Sequence, residues 1–190
     1  MEAARRHGVD VRLLRVICFM ESRFRLEVVS PKGARGPMQF MPATARTYRI
    51  NNPHDPRQSM DAAARYLGDL LRKFSGRVDL ALAAYNAGEG TVESFITGRS
   101  LLFPNGKIVN PRGIVTGGIP PYPETRSYVK RGLNLLNGGS VTNSLVRHTH
   151  LQSQSRLVDG NNLTIDALSE SEPVSVKFSS QTHSSFISVP

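Results

Sequence analysis

Hydrophobic positions recur at helical spacing in five stretches of the first 137 residues. In the stretch 10–22, Leu14, Ile17 and Cys18 stand at i, i+3 and i+4 behind Asp10, a residue suited to an N-cap, so a helix is predicted there. Glu21 falls on the same stripe seven residues after Leu14. A carboxylate on the apolar face of a helix is a local inconsistency of the kind that marks functional sites. A second helix is predicted over 61–74, with Ala63, Tyr66, Leu67, Leu70, Leu71 and Phe74 on one side. The run 78–86 is apolar and alanine-rich and is followed by Gly88, which suits a C-terminal cap. Thr91 is placed to cap a short helix through Ile96 that stops at Gly98, and a last helix is predicted over 124–137 with Val129, Leu133 and Leu136 inward.

Between the last two helices, residues 99–123 are rich in Gly and Pro and predict a long irregular loop, with a small hairpin around Asn105-Gly106. A loop this long inside one domain is often functional. Beyond Gly139 the composition changes. Twelve serines lie between residues 140 and 190 without a sustained helical period. The expected organisation is therefore a mainly α domain over 1–139 and a Ser-rich, disordered tail over 140–190, in which only 173–178 alternates enough to form a strand.

A hydrophobic content of 39% and a charged content of 21% in 190 residues fit one soluble domain with a sizeable core, and no apolar run is long enough to predict a membrane-spanning helix. The lone cysteine, Cys18, excludes an internal disulfide, and the five histidines show no metal-ligand spacing, so no metal and no cofactor are expected. Charge adds something new. The chain carries +9, and the excess lies before Gly139, where 21 basic residues face 11 acidic ones. Nucleic acid, an anionic lipid surface and an anionic cell wall all suit such a surface, as does a merely soluble basic enzyme.

Three short signatures occur in order: Glu21-Ser22-Arg23-Phe24, then residues 36–45 reading G-P-M-Q-F-M-P-A-T-A, then residues 83–88 reading A-A-Y-N-A-G. A fourth segment, Glu124-Thr125-Arg126 with Tyr128-Val129, follows. Together, over residues 10–136, they resemble the family 1 (soluble-type, SLT-domain) lytic transglycosylases, whose pattern is E-S-x-F, G-x-M-Q-[LF]-M-P-x-T-A, A-Y-N-A-G and E-T-R-x-Y-V. Four ordered matches make coincidence improbable. The resemblance implies a lysozyme-like helical fold with a groove for alternating N-acetylglucosamine and N-acetylmuramic acid. Glu21 is then the single catalytic acid and base. It would protonate the glycosidic oxygen, then deprotonate the muramic 6-hydroxyl to leave a 1,6-anhydro end. Elementary chemistry asks that such an acid keep its proton near neutral pH, and the apolar stripe of Leu14, Ile17 and Cys18 would raise its pKa. A satisfied glutamate in a salt bridge with Arg25 or another arginine is the ordinary alternative.

The resemblance also implies substrate-binding roles for Ser30, Gln39, Met41, Tyr85, Asn86 and Glu124. Four of them have an ordinary alternative: a loop cap before Pro31 for Ser30, core packing for Met41, a capping role before Gly88 for Asn86, and favourable placement at a helix start for Glu124. Tyr85 is expected near the catalytic acid. Pro37, Ser59-Met60, Ala63 and Glu89 depart from residues common in the family, none of them at a catalytic atom.

Hydrolysis by a goose-type lysozyme relative and a non-catalytic wall-binding module stand as rival functions. Nucleic acid is not expected as a partner, for want of interleaved aromatics or a binding motif. Peptidoglycan strands are the expected partner of a monomer in the periplasm or cell envelope, with cell-envelope or secretion-system partners also open. No signal peptide is expected ahead of the domain, since residues 1–6 are charged and a helix follows at once, so the true start lies upstream or export takes another route. Ending the chain at Gly139 is expected to leave fold and activity intact. A truncated protein with a lower melting temperature or lost activity would refute the domain boundary.

Overall fold

Asp10 caps the helix it precedes: its carboxylate accepts the Arg12 N–H at 2.7 Å and opens α2, Val11–Ser22. The computed structural model describes residues 2–138. Within them, α2 is preceded by α1 (Glu2–Arg6) and followed by α3 (Pro42–Thr47), α4 (Pro56–Lys73), α5 (Val78–Ala87) and α6 (Glu89–Thr97). A short antiparallel pair, β1 (Leu101–Leu102) and β2 (Ile108–Val109), then leads to α7 (Pro123–Leu136). The mainly α class follows. The Ser-rich stretch 140–190 and its candidate strand at 173–178 lie outside the described residues.

Boundaries differ from the periodic pattern where helix ends are polar. α4 starts at Pro56 rather than Asp61, because Asp55 accepts the N–H groups of Arg57 and Gln58 at 2.7 and 3.1 Å and Pro56 suits the first helical position. Its first turn carries no apolar stripe, so periodicity missed it. α6 starts at Glu89, and Thr91 is not its cap: Gly88 ends α5 and begins α6, leaving Thr91 buried inside the helix. α1 and α3 are short helices the pattern did not predict.

The core is arranged around α5, where Ala81, Leu82, Ala83, Ala84 and Tyr85 are fully buried. Its small side chains let α4, α6 and α7 pack against it, and α7 reaches α2 as well. Gly132 stands at that second approach. A Cβ there would stand 2.9 Å from Leu82 Cδ1 and 3.2 Å from Met20 Cε, so any side chain at this position would require those two side chains to shift. Residues 99–123 form a largely irregular connection with a small hairpin around Asn105-Gly106. The hairpin is present with Leu101 opposite Val109, and buried Asn110 ties its base by donating from Nδ2 to the carbonyls of Ser94 and Ile114, both at 2.9 Å.

Residues 28–40 form the loop before α3, held by paired bonds between Arg35 and Phe40 at 3.0 and 3.1 Å. Gly36 sits in it at φ +76°, and a Cβ on it would meet the Pro53 carbonyl oxygen at 1.8 Å. Gly33 has φ +87° but open space around it. Gly36→Ala is therefore expected to cost more than about 3 kcal/mol, and Gly33→Ala only the backbone strain of roughly 1 kcal/mol. Urea unfolding of the two variants checks this, and equal midpoints would refute it.

Candidate active site

The chain turns sharply after Glu21. Arg23 and Phe24 both take left-handed conformations at φ 53° and 63°, with the Arg23 N–H closing on Phe19 O at 3.0 Å. The Ser22 hydroxyl donates back to Cys18 O at 3.2 Å, and the Phe24 ring folds to 6.0 Å from that of Phe19. These bonds give the Glu21-Ser22-Arg23-Phe24 signature its physical content: they end α2 immediately behind Glu21.

Glu21 itself is 5% exposed. The Tyr128 hydroxyl donates to its Oε1 at 2.6 Å, while Oε2 is buried and has no hydrogen-bond partner. Arg25, the arginine named in the ordinary reading, donates from Nε to Ser22 O at 3.1 Å and forms no ion pair with it. Burial pushes the Glu21 carboxyl up to about 8, against the opposing pull of the Tyr128 bond and the Arg131 charge, and the Glu124 carboxylate adds to the rise. Near neutral pH the group therefore carries its proton, with Tyr128 holding one oxygen and the other unengaged.

The remaining candidates divide in two. Met41, Asn86 and Glu124 line one cleft of about 210 Å³, together with Thr91 and Thr125. In it the buried Asn86 keeps an Nδ2 without a partner. Ser30, Gln39 and Tyr85 are buried and engaged with the chain instead. Ser30 Oγ accepts the Ala34 N–H at 2.9 Å, the loop-cap role. Gln39, at φ 49°, donates from Nε2 to Gly36 O at 2.8 Å and Val28 O at 3.2 Å, leaving Oε1 unpaired. The Tyr85 hydroxyl donates to Met38 O at 3.2 Å, not to Glu21, although burial first and then the charge of Glu21 hold it in its protonated form.

Tyr128 is the site residue that the sequence reading passed over. It stands in the Glu124-Thr125-Arg126 segment, one turn after Glu124 and one turn before Gly132, a spacing that puts all three on one helix face. α7 thereby links the two parts: its first turn lines the cleft and its second holds the acid. Glu89 has a surface role, pairing with Lys73 at 2.5 Å beside the Lys73–Glu93 pair at 2.9 Å. Cys18 is buried and pushed up to about 12 by desolvation, so it packs rather than reacts. Among the described residues no group of three or more His, Cys, Asp or Glu side chains is placed to hold a metal ion.

Residues 1–100 match the family described as Transglycosylase SLT domain, and the chain belongs to that family. It is 34% identical over 135 residues to membrane-bound lytic murein transglycosylase F 1 of Alkalilimnicola ehrlichii, covering 68% of this chain and 27% of that protein. Membrane-bound lytic murein transglycosylase F of Histophilus somni is 42% identical over 88 residues, 43% of this chain and 18% of its own. The chain thus spans about a quarter or less of the length of these curated relatives. Among solved structures, the lytic transglycosylase Slt of Pseudomonas aeruginosa, as an inactive glutamate-to-glutamine mutant, superposes with a TM-score of 0.54 at 30% identity, covering 70% of this chain and 22% of that one. The lysozyme-like helical fold implied by the motifs is therefore the fold of the described domain.

The carboxyl of Glu21 makes a pH signature. Its pKa lies near 8 in the folded chain against 4.5 for a free group, so above about 4.5 the unfolded chain gives up a proton that the folded chain keeps. Stability should fall as pH rises through that window and level off above 8. Glu21→Gln removes this slope and should melt higher than wild type at pH 8, by an amount worth a few kcal/mol, with little difference near pH 4. Tyr128→Phe removes the bond that lowers the pKa and should extend the slope to higher pH. Melting curves from pH 4 to 9 decide, and parallel curves for all three proteins would refute the assignment.

Proposed function

We propose that this domain is a peptidoglycan lytic transglycosylase that cuts the bond between N-acetylmuramic acid and N-acetylglucosamine, with Glu21 as its single acid and base. The observation that supports this most is the state of Glu21: buried, pushed up to about 8, held at Oε1 by Tyr128 and unpaired at Oε2. Protonation of a leaving oxygen needs a carboxylic acid that survives at neutral pH, and this environment supplies one. Membership of the SLT family and likeness to the Pseudomonas Slt, whose inactive mutant lacks a glutamate, support the same reading.

In this mechanism the Oε2 proton passes to the glycosidic oxygen, the bond from that oxygen to the muramic anomeric carbon breaks, and the leaving sugar departs with a free hydroxyl. The 2-acetamido oxygen stabilises the cation left behind. Glu21, now a carboxylate, takes the proton of the muramic 6-hydroxyl, whose oxygen bonds to the anomeric carbon. Glu21 ends protonated, as it began, and no water is consumed. An internal nucleophile held beside its target has a high effective concentration, so a second carboxylate is not required. Ser30 and Gln39 shape the loop beside the site, Tyr85 ties that loop to α5 through Met38, and Met41, Asn86 and Glu124 present themselves to the glycan. Asn86 Nδ2 suits an acetamido carbonyl.

Such a substrate places the domain's work in the periplasm or cell envelope. The 21 basic residues before Gly139 against 11 acidic ones favour engagement with an anionic wall. No described helix is long and apolar enough to cross a membrane.

Glu21→Gln should lower the rate of sacculus digestion by at least ~100-fold while leaving the fold intact. Wild-type activity should decline as pH rises through about 8, where the acid loses its proton. Mass analysis of the released muropeptides tests the reaction class: ends one water lighter than hydrolysis products are expected. Fully hydrated ends would assign a muramidase, and Glu21→Gln activity within tenfold of wild type would remove Glu21 from the mechanism.

A further inference from the structure

The hairpin between α6 and α7 forms one wall of the cleft. Its turn is closed by the Phe103 N–H on Lys107 O at 2.8 Å and the Lys107 N–H on Asn105 Oδ1 at 3.1 Å. Side chains alternate across the strands: Leu102 and Ile108, opposite one another, are 68% and 54% exposed, whereas Phe103, Lys107 and Val109 line the cleft. Its base is fixed as well. Asn110 holds both Ser94 and Ile114, Ser100 Oγ donates to Asn110 O at 3.0 Å, and Leu101 packs against Gly90 of α6. Phe103 and Lys107 are therefore presented to the cleft by a braced element, not by a slack loop.

Lys32, Lys107 and Glu124 are the charged residues that line the cleft. Among the described residues the Lys107 ammonium makes no hydrogen bond or ion pair with the protein. A cation without a protein partner among the described residues, exposed at a concave site, favours an anionic group on whatever occupies the site. Phe103 beside it offers an apolar ring face suited to the C–H face of a sugar.

We propose that the hairpin reads a carboxylate carried by the glycan: Lys107 takes the carboxylate while Phe103 packs on the sugar that bears it. This rests on the reading of the cleft as a peptidoglycan site. Carboxylates reach such a strand in two ways, from the lactyl group of a muramic acid that carries no peptide and from the acidic residues of a stem peptide. An oligomer of N-acetylglucosamine alone carries neither.

The full chain carrying Glu21→Gln, which binds without cutting, is titrated calorimetrically with three ligands: an N-acetylglucosamine tetramer, peptide-free glycan fragments and peptide-bearing fragments. Adding Lys107→Gln should weaken the carboxylate-bearing ligands about tenfold, the scale of one charge-assisted contact, and the neutral tetramer by less than about twofold. Phe103→Ala should weaken all three. Loss on peptide-free fragments assigns the lactyl carboxylate, and loss confined to peptide-bearing fragments assigns the stem peptide. Equal effects of Lys107→Gln on neutral and acidic ligands, or no effect on any, would overturn the proposal. Failure of all three ligands to bind the Glu21→Gln chain would overturn the glycan reading itself, an outcome distinct from a bound glycan indifferent to Lys107.

Discussion

A carboxyl buried against one tyrosine sets the terms for the rest of this domain. Glu21 costs less to bury as an acid than as an anion, and the Tyr128 bond at 2.6 Å satisfies one oxygen without supplying a positive charge that would ionise it. Had Arg25 or Arg131 stood within ion-pairing distance, the same position would hold an ordinary carboxylate. Holding Tyr128 there requires α7 to lie directly on α2, and Gly132, one turn further on, permits that approach.

The short signatures that identify the family are mostly scaffolding. Ser22 and Phe24 end α2, Gln39 spends its amide on the carbonyls of Gly36 and Val28, Ser30 caps a turn, and Tyr85 holds Met38. Such residues are narrowly constrained because each satisfies a buried backbone group, where an unmet hydrogen bond is expensive. The orphaned atoms tell a complementary story. Glu21 Oε2, Gln39 Oε1 and Asn86 Nδ2 are buried without partners, as are Thr44 Oγ1 and Tyr66 Oη, and of these Glu21 Oε2 and Asn86 Nδ2 are placed to meet a ligand.

The departures from the family pattern are absorbed locally. Ser59 donates from Oγ to Pro53 O at 2.5 Å, the same carbonyl that closes over Gly36, so the segment before α4 is clamped from two sides. Ala63 is fully buried in the face of α4, and Glu89 joins Glu93 on Lys73 to tie α6 to α4 at the surface. The connection at 99–123 supplies one wall of the cleft through a hairpin braced by Asn110.

By itself the sequence determined what depends on neighbours along the chain: the apolar stripes of α2, α4, α5 and α7, the Asp10 cap, the Asn105-Gly106 turn and the position of Glu21 on a buried face. Local periodicity carries that information because a helix buries one side wherever it packs. It missed the polar first turn of α4, and it placed Thr91 at a cap instead of in the cleft, since caps and first turns carry no stripe. Tertiary structure alone decided which hydroxyl meets Glu21. Tyr85 and Tyr128 are both buried tyrosines within quoted motifs, and only the crossing of α7 over α2 and α5 puts one on the acid and the other on Met38. Contacts between residues 107 positions apart arise from packing, which no local pattern encodes.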